Sequence, residues 1–197
     1  MKSMFAYLFL LASCAQQQQI SGTVYDLNWQ PIAGVEVLLT GDAETTATTN
    51  AEGVYFFDVL PGTYTITPIK REPVLNRGID SIDASKIQQY ILTGQNWQWS
   101  PRNWIACDIT GDYLLTSADV AAALSAWQGT PYSLQYLQGL NSINWWRFVP
   151  LTWDHAWFGQ IDIPDYPQSV TITVQDGDAL NIDFTGFVRG DVDGSAN

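Results

Sequence analysis

The sequence predicts an α+β protein of more than one module: a small antiparallel β-sandwich, then a pair of loop-helix units with an added β-hairpin. Three observations carry that prediction. Short alternating runs rich in β-branched residues, broken by Gly and Pro, fill Ile20 to Arg71. Two apolar patterns of helical period follow, each opened by a polar loop that ends in aspartate. The stretch SVTITVQDGDALNIDFTGF then alternates on both sides of Asp176-Gly177-Asp178, which reads as a hairpin.

The chain of 197 residues suffices for one large or two small domains. Its start, MKSMFAYLFLLASCAQQQQ, reads as a signal peptide over 1–15: Lys2, an apolar run from Met4 to Ala12, then small residues. The run is too short to span a bilayer. Two endings stay open. Ser13 and Ala15 fit ordinary cleavage before Gln16, and Leu11-Ala12-Ser13-Cys14 fits a lipoprotein box with Cys14 as the lipid-anchored residue. Either one exports the chain, so the expected location is secreted or cell surface. Loss of Lys2 makes the formal charge one unit more negative than −12, which disfavours nucleic acid and anionic lipid as partners. Cys107 then has no cysteine to pair with and reads as a small buried hydrophobe.

Within the first module, 20–71, ISGTVYD alternates apolar and polar residues, and Asn28, Gln30 and Pro31 mark a turn. GVEVLLTGD alternates again. A Thr-rich strand, the Ala51-Glu52-Gly53 turn, an aromatic strand, the Pro61-Gly62 turn and a last strand complete the series. Val24, Val35, Val37, Tyr55, Phe57, Tyr64 and Ile66 form the expected inward face.

The second module, 72–197, opens with SIDASKIQQYILTG, whose apolar face is Ile82, Ile87, Tyr90 and Ile91, with Gly94 as the stop. A Trp-rich connection leads to SADVAAALSAW, with Val120, Leu124 and Trp127 on one face and Gly129 as the stop. GLNSINWWRFVPLTWDHAWFGQIDIP is aromatic-rich without a clear period.

Oxygen-bearing groups fall at Asp108, Thr110, Asp112, Thr116 and Asp119, positions 1, 3, 5, 9 and 12 counted from Asp108, with the Leu114 carbonyl at 7. Calcium takes six to eight oxygens, and this spacing, running into a helix, is that of an EF-hand loop. Thr116 and Asp119 before an apolar run also read as a capping box without metal. The loop before the first helix is half empty. Asp83 at 12, Asp80 at 9, Gly78 at 7 and Asn76 at 5 fit, but Val74 and Glu72 are poor ligands. The chain ends in Asp191-Val192-Asp193-Gly194-Ser195, which has the missing 1-3-5 spacing. We therefore expect the tail to fold back beside the first helix, so that Asp191, Asp193 and Ser195 share one ion with Asn76, Gly78, Asp80 and Asp83. A solvated acidic tail is the competing expectation.

Two resemblances attach to these residues. ISGTVYDLNWQPIAGVEVLLTG…TTNAEGVYFFDVLPGTYTITP resembles the carboxypeptidase-regulatory-like or Cna-B-like β-sandwich, which implies a rigid, non-catalytic spacer. Such modules are usually somewhat longer, so a strand is expected from elsewhere in the chain. The two loop-helix units, from Asn76 to Gly129, resemble a type I dockerin, a calcium-dependent docking module. DITGDYLLTSAD matches that family's DxNxDGxxxxxD pattern, with Thr110 in place of Asn and Tyr113 in place of the position-6 glycine. The ending WWRFVP…IDFTGFVRGDVDGSAN resembles dockerin-like tails of exported Bacteroidota proteins.

Catalysis finds little support. His155 is the single histidine, no Gly-rich phosphate loop or nucleophile elbow is present, and Asp162 and Asp165 lack a fold built around them. The expected role is a non-catalytic calcium-binding structural or assembly protein that mediates protein association at the cell surface or in an extracellular matrix. Its partner would be a second copy or a cohesin-like protein. The alternative is a carbohydrate-binding module in which Trp97, Trp99, Trp104, Trp145, Trp146, Trp153 or Trp157 stacks on a glycan; tryptophans filling a core are the commoner outcome.

Overall fold

The computed structural model describes residues 17–71, 78–93, 100–128, 145–153, 163 and 165–195. The leader with Cys14, and Glu72, Val74, Asn76, Gly94, Trp97, Trp99, Gly129, His155, Trp157 and Asp162, lie outside the described residues.

Five strands come from the first module: β1 (Gln18–Tyr25), β2 (Glu36–Gly41), β3 (Thr45–Thr48), β4 (Val54–Val59) and β5 (Gly62–Ile69). β1, β4 and β5 alternate buried and open positions throughout, the period-2 signature of a strand packed on one face. Three helices follow, α1 (Ser81–Thr93), α2 (Pro101–Cys107) and α3 (Ser117–Gln128), then β6 (Trp146–Pro150), β7 (Val170–Val174), β8 (Ala179–Asn181) and β9 (Phe184–Val188). One sheet has the order β4-β1-β9-β6 with β8 also on β1; the other has the order β3-β2-β5-β7. All seven residues expected on the inward face are buried.

The sandwich extends past the boundary expected after Arg71. β7 pairs antiparallel with β5, while β8 and then β9 run parallel to β1. The expected hairpin does not form. The turn at Asp176-Gly177-Asp178 is present, with the Asp178 amide donating to the Gln175 carbonyl at 3.2 Å, but its two arms join opposite sheets. Alternation marks each arm as a strand without choosing its partner. β1 and β5 each offer an open edge, and pairing there satisfies the arms' backbone groups while closing both edges. Between β8 and β9 the Ile182 carbonyl crowds Gly22 so closely that a Cβ there would lie 1.9 Å from the oxygen. The Ile182 amide donates to the Ser21 carbonyl and the Thr23 amide to Asp183 Oδ1, both at 2.8 Å.

β9 is buried along its whole length and forms a wall between two cores. Phe184 and Val188 face the sandwich core, and Phe187 faces a second core built on the helices. β6 does the same with Phe148 and Val149. The helical core holds Ile87, Tyr90, Trp104, Ile105, Cys107 and Val192 among others. Cys107 is buried and makes no disulfide, and burial pushes its thiol well above the usual range.

α1 buries Ile87 and Tyr90 as expected, with Ile91 packed partly buried against the same core, but Asp83 and Ala84 are buried in place of Ile82, which is 54% exposed. α3 buries Asp119, Ala122, Ala123 and Ala126, leaving Leu124 36% and Trp127 45% exposed. In each helix the buried stripe starts at the aspartate that closes a loop. Turning Asp83 and Asp119 inward carries Ala84, Ala122, Ala123 and Ala126 into the helical core, where α1 and α3 pack against each other.

α2 was not expected. It fills part of the Trp-rich connection, started by Pro101 at its first turn and by Asn103 Oδ1, which accepts from the Ser100 amide at 2.9 Å. Of the tryptophans considered for glycan stacking, Trp104 and Trp146 are buried, and Trp145 and Trp153 pack partly buried against the cores. Among the described residues, no helix is long and apolar enough to cross a membrane.

Candidate metal centre

α2 ends directly in the continuous loop. Asp108 is buried, and its Oδ1 accepts the amides of Gly111 at 2.6 Å and Asp112 at 3.2 Å, while Oδ2 accepts the Tyr113 amide at 3.1 Å. Asp119 closes the loop from the first turn of α3. Its Oδ1 accepts the Thr110 amide at 3.1 Å and hydroxyl at 3.0 Å, and Oδ2 accepts the Thr116 amide at 2.9 Å. Thr116 Oγ1 caps the helix by accepting the Ala118 amide at 3.2 Å. Asp112 is exposed and accepts the amide of Leu114 at 3.0 Å.

Position 6 keeps the left-handed backbone that glycine usually supplies there. Tyr113 has φ 64°, and Gly111 two residues before it φ 74°. Left-handed backbone in an L-residue costs about 1–2 kcal/mol. Two contacts hold the tyrosine in it: the Ile163 amide donates to its carbonyl at 2.8 Å, and its ring lies 6.3 Å from that of Tyr166. Burial raises the Asp108 carboxyl above its usual range, although the Gly111 amide and the Arg189 guanidinium pull it down. That guanidinium lies against Gly111, where a Cβ would meet it at 2.3 Å.

The second grouping is assembled from distant segments. β9 delivers the tail onto the start of α1, where Asp83, Asp191 and Asp193 bring one carboxylate oxygen each within 4.8 Å of one another. The Val192 amide donates to Asp83 Oδ1 at 2.9 Å, and Ser195 Oγ donates to the Gly78 carbonyl at 3.0 Å. Asp80 and Asp83 cap α1 reciprocally: Asp80 Oδ1 accepts the Ile82 amide at 2.6 Å, and the Asp80 amide donates to Asp83 Oδ2 at 2.9 Å. The tail therefore lies where the split arrangement requires it, beside Gly78, Asp80 and Asp83.

The two loops share more than their spacing. Gly111 and Gly194, both at position 4, have φ 74°. Ile109 and Val192, both at position 2, are buried. The position-1 carboxylate accepts the position-5 amide in each, Asp108 from Asp112 at 3.2 Å and Asp191 from Ser195 at 2.9 Å. The closing aspartate accepts the position-9 amide at 2.9 Å in both.

Electrostatics differ between them. Asp83 is pushed up to about 6, first by burial and then by the charges of Asp193 and Asp80, with the Asp80 and Val192 amides opposing. Burial also pushes Asp193 up, but hydrogen bonds from Lys86 and Ser195 outweigh it and hold the carboxyl below its usual value. Among the described residues, Asp108, Asp112 and Asp119 do not bring three carboxylate oxygens within that 4.8 Å span. The loop with the fuller sequence pattern is thus the looser cluster, and the split one is the tighter.

Three residues that sequence reasoning missed hold the tail. Asn28 Nδ2, from the turn after β1, donates to the Asp193 and Gly194 carbonyls, both at 3.0 Å. Asn103 Nδ2, on α2, donates to the Val192 carbonyl at 2.9 Å. Lys86 Nζ lies 2.8 Å from Asp193 Oδ2. Lys86 has a sequence signal, since it follows Asp83 by three residues on one helical face. Asn28 and Asn103 have none.

The oxygens of Asp83, Asp191 and Asp193 form a hard donor set of the kind calcium takes, and among the described residues no histidine or cysteine joins them as a ligand for a softer metal. No curated protein matches the chain. A solved structure, the C-terminal fragment of the pilus adhesin SpaC from Lactobacillus rhamnosus GG, is similar over 28% of this chain and 24% of that chain, at 24% identity and a TM-score of 0.26. The chain thus spans about a quarter of that structure. The family model of the Carboxypeptidase regulatory-like domain matches residues 19–70, so the segment that forms β1 to β5 is similar to that domain.

Proposed function

We propose that this chain is a non-catalytic, exported calcium-binding structural protein that mediates protein–protein association at the cell surface or in an extracellular assembly. The observation that carries the reading is the convergence of Asp83, Asp191 and Asp193 on a tail gripped by three separate elements. Carboxylates this close repel one another, and a divalent cation supplies the positive charge that relieves them. Asp83, Asp191, Asp193 and the Gly78 carbonyl would hold one ion, with Asp80 and Ser195 beside them. Asp108, Thr110, Asp112, Leu114, Thr116 and Asp119 would hold a second.

The consequence is mechanical. The tail touches the sandwich through Asn28, α1 through Asp83 and Lys86, and α2 through Asn103. An ion on the tail ties the sandwich to the helices and stiffens the unit against pulling. The outward sides of α1 and α3 carry exposed Ile82, Leu92, Leu124 and Trp127, apolar surface of the kind a second copy or a cohesin-like partner would cover.

The test is a calorimetric titration of the exported protein with calcium, beside light scattering in calcium and in chelator. We expect two ions per chain and a larger particle in calcium. Absence of binding heat, with no change in size, rejects the proposal.

A further inference from the structure

Lys86 stands at a place where the two loops differ. It follows Asp83 by three residues on α1, and the residue three after Asp119 on α3 is the buried Ala122. Its ammonium lies 2.8 Å from Asp193 Oδ2, while Oδ1 of the same carboxylate accepts the Ser195 amide at 3.2 Å. Both oxygens of Asp193 are therefore engaged. The pair is also sheltered, with the Lys86 and Asp193 side chains only 29% and 27% exposed, so solvent screens it less than a fully open pair.

We propose that Lys86 is a built-in counter-ion of the split loop, which a divalent cation must displace from Asp193 to bind there. This inference rests on the calcium reading above and deepens it. The ammonium holds the metal-free tail in place and at the same time weakens cation binding, because the incoming ion must both break the pair and accept a positive neighbour. The split loop thereby becomes a threshold site, filled at the calcium levels that extracellular modules use, about 0.1–1 mM, and left to Lys86 below them. The continuous loop has no lysine at the matching helical position; the cation beside it is Arg189, whose guanidinium lies against Gly111.

The experiment uses the full chain with Asp112→Ala as background, so that calorimetry reads the split loop alone. Lys86→Met keeps the aliphatic stem and removes the charge. We expect Lys86→Met to tighten calcium binding about two- to fivefold and to lower the melting midpoint in chelator while enlarging the calcium-induced gain. Equal affinity with and without the lysine, or weaker binding in Lys86→Met, overturns the counter-ion role and leaves the calcium reading standing. If the Asp112→Ala background binds no calcium with either residue, the split-loop calcium reading falls and this inference with it.

Discussion

Truncation after Arg189 removes the whole tail and bears on every element that grips it. Val192 is fully buried in the helical core, and burying a valine side chain contributes about 1.5–2 kcal/mol. Its amide and carbonyl are the partners of Asp83 Oδ1 and Asn103 Nδ2. A buried group stripped of its partner costs about 1–3 kcal/mol, and both would be stripped together. The metal-free loss is therefore about 4–8 kcal/mol, a large share of the 5–15 kcal/mol typical of a domain. Spread over a chain of this size, that lowers the melting midpoint by about 10–30 °C. Calcium should widen the gap, since an ion at about 100 Kd adds roughly 2.7 kcal/mol to a chain that binds it in the native state alone. Scanning calorimetry of both chains in chelator and in calcium reads the two contributions, and titration counts the ions. Truncation should remove one ion per chain. Equal ion counts refute the split site, and midpoints within two or three degrees refute the packing argument. Asp191→Asn, which keeps Val192 in place, should lose the ion while retaining most of the metal-free stability.

Three further outcomes follow from particular contacts. Asp112→Ala should remove the ion of the continuous loop and lower metal-free stability by under about 1 kcal/mol, since among the described residues the exposed Asp112 accepts only the Leu114 amide; an unchanged ion count rejects that loop as a site. Gly22→Ala should cost about 3 kcal/mol or more in urea unfolding, because the new Cβ meets the Ile182 carbonyl at 1.9 Å and must push β8 off β1; near-neutral behaviour would place those strands elsewhere. Asp83 has a folded pKa of about 6 against an unfolded value near 3.9, so the folded chain holds the extra proton between those limits and its contribution to metal-free stability falls as pH rises through that window. Calcium needs the ionised form, so the calcium-induced gain in melting temperature should be larger at pH 7 than at pH 5. A gain independent of pH separates Asp83 from the ion.

Much of this was legible in local pattern. Val24, Val37, Tyr55 and Ile66 declared the sandwich's inner face, because a strand that buries one side must alternate. The 1-3-5 spacing in the tail and the 9-12 pair before α1 were both written in the chain, and the polar geometry of each loop end is local, set by carboxylates reaching amides a few residues away. The orientation of α3 was not legible, although Ile87 and Tyr90 marked the buried face of α1. Reading the largest apolar residues as the buried stripe put Leu124 and Trp127 inside α3, whereas Asp119 is the anchor and the alanines follow it inward. The Thr110 and Thr116 donors satisfy Asp119 and offset the cost of burying it, and a hydrophobicity pattern does not show such local pairing.

What the sequence determined by itself was the alternating runs of the first module and of β7 to β9, the two loop-helix units and the residue types at each loop position, all of which depend on neighbours within a few residues; β6 and α2 left no such trace. The tertiary structure decided which strand lay beside which. β7 and β8 alternate like a hairpin, yet the open edges of β5 and β1 claimed them separately. It also decided that β9 would bring Asp191 and Asp193 to Asp83 across more than a hundred residues of chain, with Asn28 and Asn103 closing on the tail's carbonyls. Such contacts join groups whose separation along the chain leaves no periodic trace, and they form only once both cores have packed against the wall that β9 makes between them.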